Sequence, residues 1–206
     1  MDTGVRVVGS GQAGAPADVL RVSFSVEHVA QDVAAAVSQV AQRTDAVVAA
    51  LRDQGVEADD ISTTAVNVYQ EHKGLEPSAG YRGSHMLIVT TKDLTGFGRL
   101  LNAAVGAAGN SLGLQGLHFD VDDKTELLVR ARELAFRHAR EKAEELAALA
   151  GYSLGSVTSI SETHHQDFLA QSASLGGSAA KFDSGLNITP GEQTVQIALE
   201  VHFSWA

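Results

Sequence analysis

The sequence predicts an α+β fold, in which helices cover one face of a largely antiparallel sheet. Two patterns support this prediction. Apolar and polar residues alternate in seven short stretches, as is typical of strands, and apolar residues recur every three or four positions in three longer stretches, as is typical of helices. The predicted order is β-β-α-β-β-α-β-α-β-β. The first two helices each lie inside a β-α-β stretch of similar length, which hints at an internal pseudo-repeat.

The first elements are two strands and a helix. A short strand at 5–8 is followed by a strand at 19–26, and the glycine-rich residues 9–14 between them are interpreted as a hairpin loop. A change to helical spacing follows. The helix begins after Asp32, a suitable N-cap, and ends at Gly55, a suitable residue just past a helix C-terminus.

The second part of the chain contains the longest predicted helix. Its exposed face has opposite charges four residues apart, such as Glu126 and Arg130, and Gly151 ends it. The elements after the first helix are strands at 61–69 and 81–91, a helix at 94–108, a strand at 114–121, the long helix at 124–150, and strands at 157–163 and 195–203.

Composition excludes several classes of protein. The 206 residues include 15 Lys and Arg against 25 Asp and Glu, and the net charge of −10 argues against a nucleic-acid binder, which needs a basic face. The absence of cysteine excludes disulfides, thiolate nucleophiles and cysteine-ligated metal centres. With 44% hydrophobic residues the chain can bury a core, and its length favours a single domain over 1–206.

Targeting signals are not evident in the sequence. The residues after Met1 show neither a basic start nor an apolar run, and no apolar stretch approaches the length of a membrane span. As written, the chain is therefore expected to be cytoplasmic, and exported only if a leader has been removed.

One glycine motif suggests a cofactor site at first sight. The run Gly9-Ser10-Gly11-Gln12-Ala13-Gly14 matches G-x-G-x-x-G, which binds a dinucleotide pyrophosphate when the glycines open a helix. Here the chain continues through residues 15–18 into a strand. We therefore predict no cofactor, and a flexible hairpin loop at this position.

The histidines raise the question of a metal site. The densest group is His164 and His165 beside Glu162 and Asp167. Neighbouring strand residues point to opposite faces, so the two imidazoles could share an ion only if the backbone turns there. A surface pair is favoured, with His164 and His165 as weak candidate metal ligands. His138, on the inner stripe of the long helix, is interpreted as a hydrogen-bonded core or interface residue.

No catalytic motif is recognisable. There is no G-x-S-x-G elbow, and the serines cluster in a segment poorly suited to hold a nucleophile. The acidic pairs Asp59-Asp60 and Asp122-Asp123 precede a strand and a helix, where capping explains them. We therefore predict that the protein is not an enzyme.

Residues 165–189 are predicted to be a mobile excursion, because they are rich in Ser, Ala and Gly and show neither period. Apolar residues in such a segment often become ordered against a partner or a second subunit. The candidate interaction residues are Phe168, Leu169, Leu175 and Phe182.

Several runs spread over nearly the whole chain share a family likeness. They are residues 5–11, Gly55-Val56 with 60–63, Gly80-Tyr81, 131–135 with 139–147, 151–155, and 190–192. In this order they resemble the SIMPL-domain family, a domain of unknown function in bacteria. The resemblance implies an α+β domain without established catalytic residues, exported bacterial members linked to oxidative-stress defence, members that assemble into large oligomers, and animal adaptors in kinase signalling.

Three functions are compatible with the sequence. The first is a non-enzymatic, self-associating binding or scaffold protein with a role in stress response. It predicts a homo-oligomer several times 21.5 kDa in mass and is compatible with a further protein partner. The second is a small-ligand or metal-binding protein that uses His164 and His165. The third is a hydrolase whose site is assembled in space. The first is the preferred hypothesis.

Overall fold

The computed structural model describes residues 4–71, 80–163 and 189–206. Within these ranges, seven strands and three α-helices follow one another in the predicted order. The elements are β1 (Gly4–Pro16), β2 (Val19–Ala30), α1 (Val33–Asp53), a first 3-10 turn (Ala58–Asp60), β3 (Ile61–Glu71), β4 (Gly80–Thr91), α2 (Phe97–Ala108), a second 3-10 turn (Gly109–Ser111), β5 (Leu112–Asp120), α3 (Thr125–Ala150), β6 (Leu154–Thr163) and β7 (Glu192–Trp205).

The α+β fold class is confirmed, but the strands form two antiparallel sheets instead of one. A three-stranded sheet has the order β1-β7-β6, and a four-stranded sheet has the order β3-β4-β2-β5. The chain accordingly divides into two compact units. Unit 1 contains β1, α3, β6 and β7, and unit 2 contains β2 to β5 with α1 and α2. The single domain and the internal repeat stay predictions.

Unit 2 is a four-stranded sheet with α1 and α2 on one face. Phe24 from β2, Leu51 from α1 and Phe97 from α2 are fully or almost fully buried in its apolar core. The predicted ends of α1 are confirmed. The Asp32 carboxylate accepts a hydrogen bond from the Ala35 N–H at 2.9 Å, and Gly55 adopts a positive φ of 89° just past the helix.

Unit 1 is formed by the long helix α3 packed on β1 and β7. The buried stripe of α3 begins at Leu127 and continues as alanines spaced four residues apart, and it lies against apolar side chains such as Val7 and Val201. These alanines are Ala131, Ala135, Ala139, Ala143 and Ala147. Because alanine is small, the helix backbone approaches the sheet closely.

The predicted hairpin loop at residues 9–14 is wrong, because β1 runs through the whole glycine motif. The glycines make room for α3. A Cβ atom built on Gly9 would lie 2.1 Å from the backbone oxygen of Ala135, and one built on Gly11 would lie 2.1 Å from that of Ala131. The motif therefore has a packing role in which only glycine fits.

No helix in the described part of the chain is long and apolar enough to span a membrane.

Candidate functional site

The candidate site is the exposed edge of unit 2, formed by β3. This strand pairs with β4 on one side, and within the described ranges no strand is paired with its other side. Residues 61–70 contain no charged residue and no proline. Three large side chains stand exposed here: Val66 at 60%, Val68 at 37% and Tyr69 at 52%. We call this surface the β3 edge.

The β3 edge is held in a regular conformation by β4. A register shift between Thr63 and Ala65 marks a bulge near the start of the strand, and from Ala65 to Glu71 the pairing with Met86 to Gly80 is continuous. Unpaired N–H and C=O groups along a regular strand form a template to which another strand can bind. The second half of β3 has this property.

A charged cluster links β3 to the two strands behind it. Arg82 in β4 donates one hydrogen bond to Glu27 in β2 at 3.0 Å and another to Glu71 in β3 at 2.5 Å. These carboxylates, with Glu71 the larger influence, raise the pKa of the Arg82 guanidinium above its ordinary value. The three residues fix the end of β3 relative to the sheet.

A second polar contact lies near the bulge. The Nε2 atom of His85 in β4 is 2.9 Å from the hydroxyl of Thr63 in β3. Burial lowers the pKa of His85 from its ordinary value of 6.5, while the charge of Asp45 acts in the opposite direction. The Nε2 atom of a neutral imidazole can accept a hydrogen bond from the Thr63 hydroxyl, which adds to the attachment of β3.

The edge of unit 1 formed by β1 is different, because side chains of α3 bind its backbone. Lys142 Nζ donates to the Val8 carbonyl at 3.0 Å. One helical turn earlier, His138 Nδ1 lies 3.1 Å from the Ser10 N–H nitrogen and 3.0 Å from the Ser10 carbonyl oxygen. The prediction of a hydrogen-bonded His138 is confirmed. We call this surface the β1 edge.

The site residues named from sequence cannot be placed. The candidate metal ligands and the candidate interaction residues lie outside the described residues and stay predictions; they are His164, His165, Phe168, Leu169, Leu175 and Phe182. Among the residues that the structure describes, no three or more His, Asp or Glu side chains are grouped so that they could hold a metal ion.

The structure shows a local role for one residue of the two acidic pairs, Asp123. The Asp123 carboxylate accepts from the Thr125 N–H at 2.9 Å at the start of α3, and hydrogen bonds from the hydroxyl and N–H of Thr125 lower the pKa of Asp123. Asp59 and Asp60 belong to the 3-10 turn that leads into β3. The capping explanation is confirmed for Asp123.

Sequence reasoning missed the β3 edge. It identified the strand, but the position of a strand in its sheet depends on pairing with residues far along the chain. The available signal was the ten uncharged residues at 61–70, because an edge protected against association usually contains a charge or a proline.

Comparison with known proteins gives related sequences over most of the chain. The family model described as SIMPL, a protein of unknown function (DUF541), matches residues 5–203. The 26 kDa periplasmic immunogenic proteins of Brucella melitensis and Brucella abortus are each 28% identical over 97% of this chain and 83% of their own length. The uncharacterized protein YggE of Edwardsiella ictaluri is 32% identical over 76% of this chain and 67% of its own.

These relatives correct one expectation and establish the family. The expected cytoplasmic location is wrong, since two relatives that align with almost the whole chain are named as periplasmic proteins. Because the family model matches nearly every residue from the first strand to the last, the chain belongs to the SIMPL family.

Proposed function

We propose that this SIMPL-family protein is a non-enzymatic, self-associating binding or scaffold module that works in the periplasm. The names of the Brucella relatives support the location. The link to oxidative-stress defence rests on the family resemblance. The observation that supports self-association is the β3 edge, which is uncharged over residues 61–70, is regularly paired from Ala65 onward and has three exposed apolar or aromatic side chains.

The β3 edge suits pairing with another strand for two reasons. Each backbone N–H and C=O on its outer side can form a ladder hydrogen bond with a partner. Val66 and Val68 lie on one face of the sheet and Tyr69 on the other, so an added strand would cover apolar surface on both faces. Strand addition would therefore provide both hydrogen bonds and hydrophobic burial.

A second copy of the chain is the partner that fits this edge. Antiparallel pairing of two β3 strands around a two-fold axis at Val66 would place Glu71 of one copy opposite Ile61 of the other. The two acidic residues would then lie at opposite ends of the ladder, and no like charges would meet. A partner strand with charges along its length would not match the uncharged residues of β3 in this way.

The test is the mass of the full-length protein at micromolar concentration, measured by light scattering after size exclusion. Because a two-fold pairing joins two chains, we expect a mass of twice 21.5 kDa for the wild type and a mass of 21.5 kDa for Val66→Lys. In the pairing described above, the two lysines would lie opposite each other, and like charges in opposed strand positions repel.

The matched control is Val129→Lys, which places the same charge on an exposed valine of α3. This variant should keep the mass of the wild type. A monomeric wild type would overturn the proposal, and so would a Val66→Lys variant that remains assembled while circular dichroism shows it to be folded.

A further inference from the structure

A pocket of about 350 Å³ lies in unit 2, away from the β3 edge, at a step in the sheet. The step exists because β2 continues to Ala30, whereas its last residue paired with β5 is Val26. The second 3-10 turn, which precedes β5, borders the space. Polar residues of β2, β4, β5 and this turn line it, together with Val29 and Leu112. The side chain of Leu112 packs on the apolar core of unit 2.

One carboxylate and one guanidinium line the pocket, and the cluster that they form with Glu71 outside the pocket is negative. The two lining residues are Glu27 and Arg82, and Arg82 is also bound to Glu71. One guanidinium between two carboxylates gives the cluster a net charge of −1, and the whole chain has a net charge of −10. Because two carboxylates are paired with the single Arg82 guanidinium, an anionic ligand would gain little electrostatic energy here, whereas a cationic ligand would be attracted.

The neutral groups of the pocket mostly offer acceptors. Gln115 Nε2 donates to the Ser25 hydroxyl oxygen at 2.7 Å, so the amide nitrogen is engaged and the amide oxygen is the group left for a ligand. Asn110 and Ser111 in the second 3-10 turn contribute further oxygens, and Glu27 has a second carboxylate oxygen. A primary ammonium, with three N–H donors and no acceptor, matches such a set.

We propose that this pocket binds a short aliphatic amine, with its ammonium group near Glu27 and its methylene chain against Val29. The carboxylate supplies the charge, the side-chain oxygens of Gln115 and Asn110 complete the hydrogen bonds, and Val29 contacts the carbon chain. The pocket shares Glu27 and Arg82 with the charged cluster at the end of β3, but it contains none of the three side chains exposed on the β3 edge, so diamine binding and self-association are tested separately.

The test is isothermal titration calorimetry of the full chain with 1,4-diaminobutane. Two compounds of the same chain length serve as ligand controls: 1,4-butanediol, which is neutral, and succinate, which is anionic. We expect one diamine per chain and no binding of either control. Glu27→Gln should weaken the binding about tenfold, since it removes the charge but keeps an amide oxygen that can accept from Arg82.

The matched control variant is Glu144→Gln, which removes a carboxylate that also accepts from an arginine, Arg140, at 2.9 Å on the exposed face of α3. It should bind the diamine as the wild type does. Equal weakening by Glu144→Gln and Glu27→Gln would show general attraction to an acidic chain and overturn the proposal, as would a wild-type protein that does not bind the diamine, or either control compound binding as well as the diamine.

A variant with the opposite expected effect covers the case in which Glu27→Gln fails to fold. Asn110→Asp adds a carboxylate at the rim of the pocket, in an exposed turn, and should tighten diamine binding roughly threefold. An unchanged or weaker affinity in this variant would contradict the proposed position of the ammonium group.

Discussion

β1 and β3 are both edge strands of antiparallel sheets, but their outer edges differ. Lys142 and His138 of α3 occupy backbone groups of β1 at Val8 and Ser10. In unit 2, α1 packs mainly on β2 and β4, and β3 is left with exposed valines. The difference shows that a helix lying against an edge strand can satisfy that strand's backbone with its own side chains. Where the helix lies elsewhere, the edge stays available to a partner.

The largest expected effect tests the close contact between α3 and β1. Gly9→Ala should destabilise unit 1 by about 3 kcal/mol, because the new methyl group would meet the Ala135 backbone oxygen and force the helix away from the strand. Trp205 in β7 is the single tryptophan of the chain, so its fluorescence during urea unfolding reports on unit 1.

The matched control for Gly9→Ala is Gly106→Ala in α2. No atom lies within 4 Å of a Cβ built on Gly106, so this substitution should stabilise unit 2 by about 0.5–1 kcal/mol through higher helix propensity. Circular dichroism at 222 nm would follow it. If the two variants had the same sign of effect, the packing role of Gly9 would be contradicted.

The second prediction concerns a variant in which the backbone of the β1 edge becomes free to bind a partner. The double variant His138→Ala with Lys142→Ala would free the backbone groups of Val8 and Ser10, at a cost of about 1 kcal/mol to unit 1 because these contacts are solvent-exposed. In the Val66→Lys background, which we expect to be monomeric, this double variant should restore association through β1. Light scattering measures the mass.

The control for the second prediction is Arg140→Ala in the same background. Arg140 pairs with Glu144 on the exposed face of α3 and bonds no strand backbone. This variant should remain monomeric. If the double variant also stayed monomeric while folded, the contacts of His138 and Lys142 with the β1 backbone would not be what prevents association through β1.

Features of the two units that depend on neighbouring residues could be predicted from the sequence, whereas features that depend on distant residues could not. Asp32 and Gly55 mark the ends of α1 through local hydrogen bonding and backbone conformation, and both were predicted correctly. The role of Gly9 was misjudged because glycine usually interrupts a strand, and the helix that requires it comes from a distant part of the chain. The uncharged run at 61–70 was visible, but its edge position follows from long-range pairing.

The third prediction concerns the attachment of β3. Glu71→Gln should weaken the Arg82 contact and destabilise the end of β3 by about 0.5 kcal/mol, because the two side chains are partly exposed and water screens their charges. Hydrogen exchange of β3 amides should become roughly twofold faster. Glu200→Gln, which removes the partner of Arg6 in unit 1, should leave β3 exchange unchanged. Unchanged exchange in Glu71→Gln would show that the cluster does not hold the strand.

The smallest expected effect is a pH dependence of the same strand. Burial lowers the pKa of His85, so the unfolded chain takes up a proton near 6.5 before the folded chain does. The stability that the neutral imidazole gives is therefore fully present above pH 6.5 and is lost as the pH falls through the folded pKa. The Asp45 charge reduces this loss.

His85 contacts Thr63, so the loss should appear as lower protection of β3 amides, after correction for intrinsic exchange, when the pH falls below 6.5. His85→Asn should remove the dependence. His118→Asn, a matched change on β5, should retain it. A loss of β3 protection that persists in His85→Asn, or that disappears in His118→Asn, would contradict the assignment of this pH dependence to the His85 imidazole, which contacts β3 through Thr63.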